Sequence, residues 1–231
     1  MNILITGARK GIGRMLVEYF AKIPSNFVIG CSRGTSDFSA ENYLHIETDV
    51  SKESDIKNLV KQIRRAKGSL DVLINNAGIA SMNHSLLTPT ATVKNIFDVN
   101  FLGTFLLCRE CSKLLKKSAG GRIVNFSTVA VPLKLEGNMV YAASKSAVET
   151  LTKIMSRELA EYGITVNTIG PSPVKTSLIR TIPKEKIETL LELHTIKRFT
   201  TIDDIINIIN FFISPNSDAV TGQIIYTGGV S

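Results

Sequence analysis

Tyr141 and Lys145 stand four residues apart in Tyr141-Ala142-Ala143-Ser144-Lys145, which puts them on one face if the segment is helical. A phenol ordinarily titrates at about pH 10, too high for proton exchange at neutrality. An ammonium beside it favours the phenolate and makes the pair a usable proton donor and acceptor. Ser127 and Thr128 precede the pair at the end of a strand-like run, and either hydroxyl could bind a carbonyl oxygen. Helices often carry Tyr and Lys at this spacing on their surface, so the pair points to chemistry only in company.

That company is a glycine turn. Gly7, Gly11 and Gly13 follow the apolar run Ile3-Leu4-Ile5 and precede Ile12, Met15, Leu16, Tyr19, Phe20 and Ile23 at helical spacing. The spacing G-x-x-x-G-x-G differs from G-x-G-x-x-G, but the physics is shared: a tight turn and close backbone approach to a pyrophosphate at a helix N-terminus. A dinucleotide cofactor is therefore expected. An acid after the second strand would bind the adenosine ribose hydroxyls and repel a 2′-phosphate. The sequence has Cys31-Ser32-Arg33 there instead. Arg33, together with Lys10 in the glycine turn, can neutralise that phosphate, which favours NADP(H).

Positioning these groups requires a regular scaffold. Further strands are read at Phe27 to Cys31, Tyr43 to Ile46, Leu70 to Ile74, Gly121 to Phe126, Ile164 to Ile169 and Gln223 to Tyr226. Helices fall between them: from Ser51 to about Arg65, from about Thr88 past Asn100 with a bend near Gly103, from about Asn138 to Tyr162, and along Ile202 to Ile213. With the first run this makes about seven strands alternating with helices. The expectation is a single α/β domain over residues 1–231, a doubly wound Rossmann-type parallel sheet covered on both faces.

Composition agrees. Of 231 residues, 44% are hydrophobic and 20% charged, which excludes a disordered chain. No run of about 18 apolar residues is present, and the N-terminus lacks a signal-peptide pattern, so a cytoplasmic protein without membrane contact is expected. The net charge of +7 could attract nucleic acid, but its basic groups (Arg64, Arg65 and Lys67; Lys113, Lys116 and Lys117) read as solvated helix faces. Cys31, Cys108 and Cys111 cannot all pair, in keeping with a reducing compartment, and Cys108-x-x-Cys111 reads as two packing residues inside a helix. No metal site is expected.

Five motifs in order carry a resemblance. They are Thr6-Gly7-Ala8-Arg9-Lys10-Gly11-Ile12-Gly13, Asn75-Asn76-Ala77-Gly78, Asn100, Tyr141-x-x-x-Lys145, and Pro171 through Thr176. The chain resembles the short-chain dehydrogenases/reductases over essentially its whole length, and within them most closely the 3-oxoacyl-[acyl-carrier-protein] reductases. The resemblance implies that Tyr141 protonates a carbonyl oxygen as hydride arrives from the nicotinamide. It implies that Lys145 holds the nicotinamide ribose and lowers the Tyr141 pKa, and that Asn100 anchors a water in a proton relay. Asp49 and Val50 would flank the adenine, Asn76, Ala77 and Gly78 would line the ribose, and Pro171, Val174 and Thr176 would meet the nicotinamide amide. Gly7, Arg9, Lys10, Gly11, Ile12, Gly13, Ser32 and Arg33 would complete the cofactor site. Relatives pair helices across subunits, so a homotetramer or homodimer is expected.

Two departures stand out. The family's serine lies 13 residues before the tyrosine, and that position is Thr128. Thr keeps the hydroxyl but adds a methyl group, so Thr128 or a shifted Ser127 binds the carbonyl oxygen. The usual Pro-Gly is Pro171-Ser172-Pro173, so a reshaped backbone is expected there, and a slow or non-catalytic NADP(H)-binding protein is the alternative. The substrate pocket should be bounded by Ala80 to Leu87, Val131 to Met139 and a helical lid at 177–197. Its apolar residues suit a mid-sized carbonyl or alcohol substrate, an acyl thioester included, without excluding a sugar. His84 and His194, in these segments, read as surface histidines.

Overall fold

Period-two burial in the strands decides the architecture. Ile3, Ile5, Val72, Ile74 and Val124 belong to one core cluster, while Leu4, Leu73 and Ile123, one residue out of step, belong to another. A sheet with two apolar faces must be covered on both. The computed structural model describes residues 1–176 and 184–230. It shows seven parallel strands in the order β3-β2-β1-β4-β5-β6-β7: β1 (Asn2–Thr6), β2 (Phe27–Ser32), β3 (Tyr43–Glu47), β4 (Val72–Asn75), β5 (Arg122–Phe126), β6 (Thr165–Gly170) and β7 (Ile224–Tyr226).

One face carries α2 (Glu53–Lys67), α4 (Gly103–Leu115) and α6 (Met139–Glu158), packed on Leu4, Leu73 and Ile123. The other carries α1 (Gly11–Ala21) and α8 (Ile202–Ile213), whose Ile205, Ile209 and Phe212 share a core cluster with Val124, Phe126 and Ile169 of β5 and β6. Arg64, Arg65 and Lys67 fall in the last turn of α2, where the helix dipole accommodates cations. The expected long helix through Asn100 is three pieces: α3 (Thr90–Phe97), a π turn over Asp98–Leu102, and α4. The bend precedes Gly103 rather than centring on it. A short α5 (Ala130–Leu133) follows β5, and α7 (Lys184–Glu192) lies within the expected lid, whose residues 177–183 fall outside the described residues. Among the described residues no helix is long and apolar enough to cross a membrane.

Cys31, Cys108 and Cys111 are free and buried, and burial pushes the Cys31 and Cys108 thiols up to about 12. Cys108 lies in mid-helix, bonded to the Asn75 and Asn125 side chains, which is a packing role rather than a reactive one.

The α8 N-terminus is the best capped: Thr201 Oγ1 accepts from the Asp204 amide, and the Asp204 carboxylate accepts from the Thr201 amide at 2.8 Å. Arg198 also donates to Asp204 at 2.6 and 3.0 Å. The Arg198 hydrogen bonds, outweighing burial and helped by Thr201, hold the Asp204 carboxyl well below its usual range. Its folded pKa lies below its unfolded one, so its stabilisation is complete above about pH 4 and is lost as the pH falls further. Asp204→Ala is expected to cost about 1 kcal/mol at neutral pH. Thermal melts of the two proteins should converge on acidification, and a gap independent of pH would contradict the assignment.

Candidate active site

β1 pairs with β2 on one side and β4 on the other, so the chain order reverses at β1 and the turns leaving β1 and β4 diverge to open a crevice. Gly7 has φ +69° and Gly11 φ +60°. A Cβ on Gly13 would collide with the Gly7 carbonyl and stand 2.5 Å from Asn76 Nδ2. Lys10 at the head of α1 is extended and offers no side-chain cap, so the first amides of α1 remain available to an anion. Thr176 closes over this turn, within 3.8 Å of where a Cβ on Gly11 would be, and Ile12 packs against the core. A glycine cradle with an uncapped helix start fits a dinucleotide pyrophosphate.

The β4 turn is tied to the same place. Asn76 Nδ2 donates to the Thr6 carbonyl at 2.8 Å, and the Ala77 amide donates to Thr6 Oγ1 at 2.9 Å. Gly78 is thereby presented beside the catalytic candidates: a Cβ on it would be 3.3 Å from Asn100 Oδ1 and 3.4 Å from Lys145 Nζ.

At the far end of the crevice, Ser32 Oγ donates to the Gly34 carbonyl at 2.8 Å and lies 3.1 Å from His45 Nε2. His45 Nε2 is also 2.9 Å from the Gly34 carbonyl, so it carries the proton, and Nδ1 accepts from the Tyr43 hydroxyl at 2.9 Å. Arg9 lies against Gly34, and Arg9, Lys10 and Arg33 are exposed. Burial opposes ionisation of Asp49, but Ser51, Lys52 and Arg33 hold its carboxyl below the usual value. Val50 is buried, its carbonyl against Gly103.

In the crevice centre, α6 presents Tyr141 and Lys145. Burial pushes the Tyr141 hydroxyl up, and a hydrogen bond with Thr128 pulls it down. Lys145 is buried, lowered to about 8 by that burial, and donates to the Phe126 carbonyl at 2.8 Å. The ammonium is thus bonded to the backbone of β5. Asn100, in the π turn, accepts from the Ile79 amide at 2.8 Å and donates to the Ile79 carbonyl at 2.9 Å and to Ser144 Oγ at 3.0 Å. Its main-chain carbonyl accepts from Thr104 Oγ1 at 2.7 Å.

Two sequence expectations change. Ser127 does not share Thr128's position: its hydroxyl donates to the Glu149 carboxylate. Ser172 avoids positive φ, since Lys134 is the only non-glycine with positive φ among the described residues. Its amide donates to Thr227 Oγ1 at 2.8 Å, and its buried hydroxyl has no partner among the described residues. His194 is not a surface residue but 2% exposed, with Nδ1 against the Leu190 carbonyl and the ring beneath Gly228. His84 is exposed as expected, accepting from the Leu86 amide. Pro171 leads into this segment, and Val174 turns its side chain into the core. Residues that sequence reading passed over are His45 and Glu149. Glu149 was signalled by its spacing, four residues beyond Lys145 on the stripe that carries Tyr141.

A family model for short chain dehydrogenase matches residues 1–187. The chain is 30% identical to a 3-oxoacyl-[acyl-carrier-protein] reductase FabG of Staphylococcus epidermidis, over 99% of this chain and 97% of the relative. It is also 30% identical to an NADPH-dependent aldehyde reductase 2, chloroplastic, of Arabidopsis thaliana, over 98% and 92%. Among solved structures, the Thermoplasma acidophilum aldohexose dehydrogenase in ligand-free form superposes with TM-score 0.89 at 28% identity, covering 99% of this chain and 92% of that one.

Proposed function

The chain belongs to the short-chain dehydrogenase/reductase family, and on that premise we propose that it is an NADP(H)-dependent carbonyl reductase of the 3-oxoacyl-[acyl-carrier-protein] reductase type. The observation that carries this reading is the meeting of Tyr141 with Thr128 beside buried Lys145, at the mouth of a glycine cradle. Gly7, Gly11, Ile12 and Gly13 hold the pyrophosphate, Asp49 and Val50 flank the adenine, and Ala77, Gly78, Pro171, Val174 and Thr176 line the nicotinamide end. Arg33 and Lys10 take the 2′-phosphate, with Arg9 and Ser32 beside them in the cofactor site, in keeping with a relative named for NADPH dependence. When bound, the reduced nicotinamide supplies a hydride to the substrate's carbonyl carbon.

Thr128 donates to the carbonyl oxygen and fixes it against the Tyr141 hydroxyl, which protonates it as the alcohol forms. Lys145 holds the ribose and, as an ammonium below about pH 8, supports the phenolate left behind. Asn100 holds the Ile79 backbone against α6 and anchors the water of the relay through which Tyr141 is reprotonated. Met82, exposed Leu86 and Leu87, and half-exposed Met139 surround the entrance, which suits an apolar or mid-sized carbonyl. α7 forms part of its lid, with Lys186 reaching Met82. The protein is cytoplasmic and assembles as a homotetramer or homodimer through α4 and α6, where Ile154 is 52% exposed.

The direct test is loss of reduced-nicotinamide absorbance with β-keto thioesters, diketones and keto sugars, NADPH against NADH. Turnover of one class with NADPH, and much less with NADH, is expected. Tight NADPH binding without turnover of any carbonyl would instead identify a binding protein. Thr128→Ala should lower kcat by about 100-fold and Thr128→Ser should hold it near wild type. Equal activity in all three would remove Thr128 from the mechanism.

A further inference from the structure

A buried carboxylate that the reaction does not use lies one helical turn from Lys145. Glu149 of α6 is 9% exposed, and none of the ion pairs among the described residues involves it. An unpaired buried carboxylate is costly unless hydrogen bonds replace its water. Here two hydroxyls converge on one oxygen, Oε1. Ser127 Oγ donates to it from the end of β5, and Tyr226 Oη donates at 2.7 Å from β7. Two hydroxyls donating to one carboxyl oxygen tie the end of β5, β7 and α6 together.

The arrangement is built on both sides. Tyr226 reaches Glu149 by laying its ring over Gly170, where a Cβ would run into that ring. Ser127 is also held through its amide, which donates to the Ile169 carbonyl at 2.8 Å. The next residue is Thr128, whose Oγ1 accepts from the Ala130 amide at 3.2 Å and meets Tyr141. Fixing the Ser127 side chain therefore fixes where the Thr128 hydroxyl can point. The adjoining residue of β7's path, Thr227, holds the other loop through the Ser172 amide.

We propose that Glu149 is a positioning residue: with Tyr226 and Ser127 it braces the end of β5 so that the Thr128 hydroxyl stays aimed at Tyr141 and the substrate oxygen. The proposal rests on the carbonyl-reductase reading for its kinetic consequence and on the hydrogen bonds alone for its structural one. Glu149 touches neither substrate nor cofactor. Its loss should act on kcat and leave NADPH affinity unchanged.

The test is a set of variants read by kinetics, by NADPH fluorescence titration and by hydrogen exchange of residues 127–133. Glu149→Ala should lower kcat by about tenfold, since small misplacement of a reacting group is costly, and should speed exchange in that segment. Glu149→Gln keeps an acceptor oxygen and should return kcat to within about threefold of wild type with protected exchange. Ser127→Ala combined with Glu149→Ala should be no slower than Glu149→Ala alone, because one brace is removed twice. Wild-type kcat and exchange in Glu149→Ala, no rescue by glutamine, a fall in NADPH affinity equal to the fall in kcat, or multiplying effects in the double variant would each overturn the proposal. Should Glu149→Ala not fold, Ser127→Ala and Tyr226→Phe decide it: faster exchange at 127–133 supports the brace and unchanged exchange refutes it. A wild-type protein that reduces no carbonyl would defeat the functional reading while the exchange comparison still judged the brace.

Discussion

Tyr141→Phe is expected to lower carbonyl reduction by about 1,000-fold while NADPH affinity stays within about tenfold of wild type. The ring and its packing survive the change and only the proton is lost. Burial keeps the Tyr141 hydroxyl protonated at neutrality, which is the form a reduction consumes, and the Thr128 hydrogen bond limits how far that goes. Reduction should therefore hold its rate through neutral pH and fall only on the alkaline side. The reverse oxidation needs the phenolate and should climb with pH. Stopped-flow oxidation of NADPH by wild type and variant measures the first effect, and pH–rate profiles in both directions measure the second. Near-normal turnover in the phenylalanine variant would show that the proton comes from elsewhere, while unchanged NADPH binding with no turnover in either protein would favour the binding-protein alternative.

How much of this was legible beforehand depends on the range over which each signal acts. The seven strands were readable because each is a short apolar run bounded by turn residues, and their two-faced burial follows from the same runs. The glycine turn and the Tyr141–Lys145 spacing are local and were readable for the same reason. The π turn at Asn100 was not, because no residue type demands it. It answers the side-chain bonds from Asn100 to Ile79 and Ser144, 21 and 44 residues away. The choice between Ser127 and Thr128 also rests on a distant partner, Glu149, and His194 reads as surface because the covering Gly228 lies well outside its own segment.

Arg33→Asp should raise the Kd for NADPH by about 100-fold and leave NADH binding unchanged or stronger. Loss of a charge-assisted contact is worth about 1.5–3 kcal/mol, and a new anion adds repulsion. The surroundings determine why Arg33 matters more than its neighbours. Ser32 already spends its hydroxyl on the Gly34 carbonyl, a carbonyl that His45 also holds, so serine fixes the turn more than it binds an anion. Arg9 lies along Gly34, and Lys10 stands at the head of α1, nearer the pyrophosphate cradle. Arg33, like Lys52, is close enough to Asp49 to lower its carboxyl, so its removal withdraws a positive charge from beside that carboxylate. An aspartate at 33 would place two carboxylates where one phosphate must fit, whereas ribose hydroxyls would find acceptors. Fluorescence titration of both reduced cofactors at low and high salt is the measurement. The NADPH advantage of the wild type should shrink with salt and that of the variant should not. An equal loss of both cofactors would mean that Arg33 supports the adenosine end in general, and an unchanged NADPH affinity would shift the phosphate contact to Arg9 and Lys10.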